Sequence, residues 1–316
     1  MRIHKWVLIA VLVLSATGGA YCAAGFAARQ ETPSKGPVVH MTVSAEARHG
    51  SELPPVSRED VIVSEGRDHD SVVSWVPAQG AQAGLELLVL VDEGSSMDLG
   101  GQLNDIRAFI QKQPATTLIG VGYMRFGMVE TVQDFTPDHA AAAKAVRVPM
   151  GVGGASPYFS LQDLTKHWPT NDHNPRHEIL LISSGVDTDY PGGPQDPYVD
   201  EAIRALQRVG VVVYSIYQPG VGHIGHSFWR INWGQNYLSQ VSEETGGESY
   251  YIGLAPAISF APYLDELDRQ LQHQYLLTFV PKPEKKAGMQ NVHVGTELSN
   301  VDLVGADRIF VPGSSD

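Results

Sequence analysis

Three short stretches carry the residue types that hold cations or move protons. They are Asp92-Glu93-Gly94-Ser95-Ser96-Met97, Gly153-Gly154-Ala155-Ser156-Pro157-Tyr158 and Ser183-Ser184-Gly185-Val186-Asp187-Thr188. Carboxylate and hydroxyl oxygens brought together from separate loops suit a hard divalent cation such as Mg²⁺, which takes about six oxygen ligands. A fourth stretch, residues 218–234, holds His223, His226, Phe228, Trp229, Arg230 and Trp233. Trp and Arg dominate binding hot spots because each joins a large contact area to a polar handle.

These stretches must be positioned by the elements between them. Residues 85–91 read Leu-Glu-Leu-Leu-Val-Leu-Val, a nearly continuous apolar run that predicts a strand covered by helices on both faces, hence a parallel sheet. Similar runs recur at 117–124, 178–183 and 211–217. Between them Leu103, Ile106, Phe109 and Ile110, and later Ala202, Ile203, Leu206 and Val209, keep helical spacing and form core stripes. Residues 129–135 predict an antiparallel edge strand beside the one at 117, followed by a helix over about 138–146. Further helices are expected over 237–245, closed by Gly246-Gly247, and over 262–272, with a short strand at 249–252 between them. The fold class is therefore α/β: a doubly wound, mostly parallel sheet flanked by helices, with extra β-hairpin strands at both ends. Ligands of such sheets bind beyond the carboxyl ends of the strands, where the three loops and residues 218–234 should meet.

Outside this core, Arg2 and Lys5 precede an apolar run over 6–14 and small residues through Ala28, the order of a secretory signal. Residues 1–28 are read as a signal peptide or anchor. The chain is expected to be exported, periplasmic or secreted, and held at a membrane through residues 6–28 only if that segment stays uncleaved. The single cysteine, Cys22, lies inside it, so a cleaved chain has neither a disulfide nor a thiol site. Residues 29–59, rich in Pro, Ser, Glu and Gly with a short extended stretch at 38–43, read as a linker. Residues 60–84 read as a hairpin of strands at 60–64 and 71–76, residues 85–272 as the α/β domain, and 273–311 as a C-terminal β extension whose strands at 273–280 and 291–298 form a terminal hairpin expected to pair with the one at residue 60. The 316 residues are 43% hydrophobic and 18% charged, enough to bury a core. A net charge of −13 with no Lys/Arg cluster excludes nucleic acid as a partner, since phosphate binding requires clustered cations.

Taken together, the three loops resemble the metal-ion-dependent adhesion site of the von Willebrand factor type A family, in which an Asp-x-Ser-x-Ser turn after the first strand is joined by a Thr and an Asp from two later loops. Thr245-Gly246-Gly247 before a late strand, and the run from Gln272 through His273, Gln274 and Tyr275 to Leu277, are similar to features of its bacterial exported members. The resemblance covers residues 60–311 and implies a Rossmann-like fold that binds rather than catalyses. Asp92 and Ser96 match the first Asp and the second Ser, while Gly94 stands where the first Ser belongs, Ala155 where the Thr belongs and Ser184 where the Asp belongs. The set is degenerate, with Asp92 and Ser96 as vestigial metal ligands. No cofactor is expected; Mg²⁺ or another divalent cation would need Ser156, Asp187 or Glu93 to substitute through a loop shift.

Other strings fail on context. Gly220-Val221-Gly222-His223-Ile224-Gly225 follows a late strand and Pro219, with aromatics where a phosphate-binding helix should begin. Ser95 and Ser183 lack a Gly-x-Ser-x-Gly setting, and His167, His173 and His177 read as solvated histidines of a Pro- and Asn-containing loop. The expected function is an exported, non-catalytic protein-binding module, metal-independent or weakly metal-dependent, with an unidentified protein partner in an envelope assembly. A metal-dependent adhesion module with rearranged ligands and an enzyme with an unrecognised site stay open as alternatives.

Overall fold

The computed structural model describes residues 37–48, 52–151, 156–168, 176–188, 195–251, 253–281 and 287–313; the signal or anchor expected over residues 1–28 lies outside them. The chain enters through β1 (Val39–Ala47), which corrects the linker reading of residues 29–59. Val39, Met41, Val43 and Ala45 alternate inward and are buried, the period of a half-buried strand. β2 (Val61–Glu65), β3 (Asp68–His69) and β4 (Ser71–Pro77) follow. The hairpin expected here is divided between two sheets: β2 turns back only onto the two-residue β3, and β4 goes to another partner.

The α/β part runs β5 (Leu85–Asp92), α1 (Leu103–Lys112), β6 (Thr117–Arg125), β7 (Met128–Thr136), α2 (His139–Ala145), α3 (Pro157–Lys166), β8 (Arg176–Ser183), α4 (Pro197–Val209), β9 (Val211–Tyr217), α5 (His223–His226), α6 (Phe228–Thr245), β10 (Ser249–Tyr250) and α7 (Ala261–Gln272). Its sheet has the order β10-β9-β8-β5-β6-β7, parallel throughout except for the antiparallel edge strand β7. This is the doubly wound α/β sheet expected. Every residue of β5 is buried, as a central strand with helices on both faces requires. Alternate residues feed two cores: Leu87, Val89 and Val91 pack with α1, α2 and α7, while Leu88 and Leu90 pack with α3, α4 and α6.

Local chemistry sets the helix ends. Asp196 accepts from the Tyr198 amide at 2.9 Å and Pro197 opens α4, which satisfies an amide with no partner inside the helix. Val199, Ala202, Ile203 and Leu206 form its buried stripe, and Gly210 ends it in the left-handed conformation. α6 begins at Phe228 rather than 237, so half of the presumed recognition loop is helix. Gly234 and the aromatic run lowered its helical signal, but Ile231, Leu238 and Val241 carry an inward face.

The tail forms β11 (Gln274–Val280), β12 (Gly288–Asn291), β13 (His293–Thr296), β14 (Val301–Val304) and β15 (Arg308–Val311). The expected pairing of 273–280 with 291–298 does not occur, whereas their expected pairing with the strands at 60–76 does: β11 borders β4 and β13 borders β2. β11 lies between β1 and β4, and β14 borders β1, giving the sheet β14-β1-β11-β4; β13 pairs with β2, and β12 with β15. A third core of Val43, Val63, Trp75, Phe279, Val294 and Ile309, among others, joins these sheets. Trp75 stacks on Tyr275 at 4.3 Å and donates to the Val56 carbonyl at 3.0 Å.

Arg176, at the amino end of β8, bolts the α/β sheet to β11. Its guanidinium donates to the carbonyls of Ala83 at 2.7 Å and Leu271 at 3.1 Å and to Gln274 Oε1 at 2.6 Å. Glu178, one pleat along, is fully buried. His177 lies in the same strand, 3.4 Å from the buried Glu86, which also accepts from the Trp168 indole at 2.6 Å. It is therefore no loop histidine, and a polar residue flanked by core positions hid it from the sequence pattern.

Candidate functional site

At the carboxyl edge of the sheet, β5 delivers Asp92 to a fully buried position. Its Oδ1 accepts from the Gly94 amide and its Oδ2 from the Ser183 hydroxyl, both at 2.7 Å. Burial pushes this carboxyl up to about 6, against those two hydrogen bonds, and the charges of Glu93 and Asp187 push it further in the same direction. Gly94, without a hydroxyl, joins the turn to the segment after β9: its carbonyl accepts from Val221 at 3.1 Å, and the Ser96 amide donates to the Pro219 carbonyl at 2.7 Å.

The other sequence candidates are engaged locally. The Ser96 hydroxyl accepts from the Asp98 amide at 3.2 Å and donates to the Asp98 carboxylate at 2.9 Å, capping the short 3₁₀ turn after β5 instead of facing Asp92. Ser184 accepts from the Val186 amide at 3.3 Å. Ala155 lies outside the described residues. Ser156 and Asp187 do come together, with the serine hydroxyl donating to Asp187 Oδ1 at 3.0 Å and both residues buried. Glu93 is ion-paired with Arg147 and accepts from the Met150 amide at 2.6 Å, and Arg147 lies over the Tyr123 ring at 3.9 Å.

Ser183 is the member that the sequence did not single out for this role. Strand periodicity contains the signal: Ile179, Leu181 and Ser183 share the face of β8 that Leu88, Leu90 and Asp92 share on β5. Gly185, at φ 68°, brings the loop against α6. A Cβ there would lie 2.2 Å from the Gly234 carbonyl oxygen, and a Cβ on Gly234 would lie 2.1 Å from that of Ser184.

Of the recognition residues, Phe228 and Trp229 are 57% and 66% exposed, with their rings edge-to-face at 5.8 Å. Arg230 is half-buried. Trp233 is not an exposed anchor; it is half-buried and packs against the α3/α4/α6 core.

Sequence reasoning missed how many loops share this edge. Met97 after β5, Phe126 and Met128 at the turn after β6, Val148 and Met150 before α3, and Leu254 and Ile258 after β10 are all exposed, Ile258 to 98%. Most of the large exposed apolar side chains among the described residues belong to this edge. Val221 and Met97 flank Gly151, and Val148 lies beside Gly100. Single apolar residues in five separate loops leave no run for a sequence pattern to detect.

No family profile and no curated protein matches the sequence. Similar solved structures include a von Willebrand factor type A protein from Catenulispora acidiphila, 12% identical over 89% of this chain and 74% of that one, with a TM-score of 0.46. An aerotolerance-related membrane protein from Bacteroides fragilis NCTC 9343 is 13% identical over 60% of this chain and 98% of that one, TM-score 0.44. The von Willebrand factor domain of the type V pili tip protein Mfa5 from Porphyromonas gingivalis is 11% identical over 60% and 94%, TM-score 0.41. The fold itself is read from the strand order of this chain.

Proposed function

We propose that this type A-like domain is an exported, non-catalytic protein-binding module that presents the carboxyl edge of its sheet to a protein partner without a resident metal. The observation that carries the reading is the concentration of exposed Phe126, Phe228, Trp229, Met97 and Ile258 at one edge, since large apolar groups gathered in water mark interaction surfaces. The hydroxyl and carboxylate oxygens beneath them are turned onto each other: Asp92 with Ser183, Ser156 with Asp187, Ser96 with Asp98. A divalent cation needs several such oxygens aimed at one point, and this donor set does not fit it. Export is inferred from the charged and apolar order of residues 1–28; among the described residues no helix is long and apolar enough to cross a membrane.

The test is calorimetric titration of the purified chain with Mg²⁺, Mn²⁺ and Ca²⁺ beside an Asp92→Ala control, together with photo-crosslinking in the cell from position 229 and from position 209 at the opposite edge. The expected result is no saturable metal heat and a protein adduct from 229 only. Saturable heat that the control loses would overturn metal independence, and equal adducts from both positions would overturn the binding edge.

A further inference from the structure

The kind of partner can be read from the charges that stand among these apolar groups, on the premise that the carboxyl edge is the binding surface. The chain carries 35 Asp and Glu against 22 Lys and Arg, yet its sequence from Ala202 to Ser242, which supplies α5 and the exposed start of α6, contains no acidic residue. Arg230 follows Phe228 and Trp229 directly and forms no ion pair among the described residues. Arg125 is likewise without an ion pair there, and its guanidinium lies 5.0 Å from the ring centre of Phe126.

Phe126 is costly where it stands. It has φ 49° and is followed by Gly127 at φ 71°, the two-residue turn between antiparallel strands that Asn-Gly or Gly-Gly normally fills. A side chain with a Cβ loses about 1 kcal/mol in this region, and here an aromatic ring is also 58% exposed. Among the described residues the ring's one aromatic or cationic contact is with Arg125. Of the described acids at this edge, Glu93 is paired with Arg147 and Asp187 is buried against Ser156, while Asp98 is exposed and accepts from Ser96.

We infer that the edge docks an acidic segment of a partner protein, whose carboxylates pair with Arg125 and Arg230 while its apolar side chains cover Phe126 and Trp229. Arginine beside aromatic rings suits this partner because the guanidinium holds a carboxylate through two parallel N–H donors while its face remains stacked. A basic segment would instead meet two arginines that have no ion pair among the described residues.

Retention of the purified chain on an immobilised random copolymer of Glu and Tyr, against one of Lys and Tyr, tests the inference. The Glu–Tyr surface should retain the chain and release it near about 0.5 M NaCl, where charges are screened within a few ångströms. The double variant Arg125→Glu, Arg230→Glu should bind about tenfold or more weakly, with an unchanged circular dichroism spectrum, and Arg125→Lys, Arg230→Lys should retain part of the binding. Equal retention on the Lys–Tyr surface, or no loss on charge reversal, overturns the acidic partner. If in addition crosslinking from 229 captures protein and is lost in Phe126→Ser, Trp229→Ser, the binding edge survives and only its charge preference falls. Self-association in sedimentation that Phe126→Ser abolishes would identify the occupant as a second copy and likewise overturn the proposal.

Discussion

The two ends of the six-stranded sheet treat charge and apolar surface in opposite ways. At the amino end, Arg176, Glu178 and Glu86 are buried under β11, the loop at 83–84 and Trp168, and Arg176 is saturated by carbonyl and amide oxygens. At the carboxyl end, the buried acids Asp92 and Asp187 are tied off by serines of neighbouring loops, and rings and thioethers face water above them. The amino end invests its polar groups in holding a second set of sheets, whereas the carboxyl end leaves large apolar groups exposed. A domain that only had to be stable would cover both ends alike.

The largest effect should come from breaking the amino end. Arg176→Met removes a guanidinium that serves three carbonyls and Gln274, and strands Glu178 without its neighbouring cation. The expected loss is about 3–5 kcal/mol in urea unfolding; a loss below about 1 kcal/mol would show that the amino end is no anchor. Next is Glu178 itself, fully buried beside Arg176 and Gln274. Burial pushes it from the ordinary 4.5 up to about 7, against the attraction of Arg176. Since the folded value lies above the unfolded one, this group favours folding below about pH 4.5, and that contribution disappears as pH rises through about 7. Glu178→Gln should therefore match the parent near pH 4.5 and exceed it by about 2–3 kcal/mol above pH 7, read from denaturation midpoints over that range.

The carboxyl end should respond less. Ser156→Ala breaks one hydrogen bond between loops and should cost about 1 kcal/mol without changing metal heats. Phe126→Asn sharpens the contrast most, because it should raise stability by about 0.5–1 kcal/mol, Asn being at ease at positive φ, while reducing retention on the acidic copolymer. A variant that loses both stability and binding would mean that the ring is packed for folding.

How far the sequence disclosed this arrangement follows from the range of the forces involved. β5, β6, β8 and β9 were legible because burial on both faces leaves unbroken apolar runs, and α4 because its cap, stripe and Gly210 agree. Asp92 was legible as the end of such a run. The antiparallel sheets were not, since β1 pairs with β11 and β14 more than two hundred residues away, and nothing local distinguishes that strand from a linker. The pairing of Ser183 with Asp92 was hidden for a smaller reason: a shift of one residue at a strand end reverses which side chain faces β5, and the motif comparison fixes spacing but not facing. Trp233 was misplaced because the loop assigned to it is a helix, which turns each successive residue by 100°.

The contact of Gly185 with Gly234 also bears on how the edge behaves when a partner arrives. Gly185 and Gly234 meet backbone against backbone, with the buried side chains of Leu238 and Val186 packed around the contact, so the Asp187 loop is held closely to α6. A partner meets a preorganised seat: the ordering cost of about 0.5–1.5 kcal/mol per immobilised side chain falls on the exposed rings and arginines alone, and the backbone beneath them has nothing left to lose.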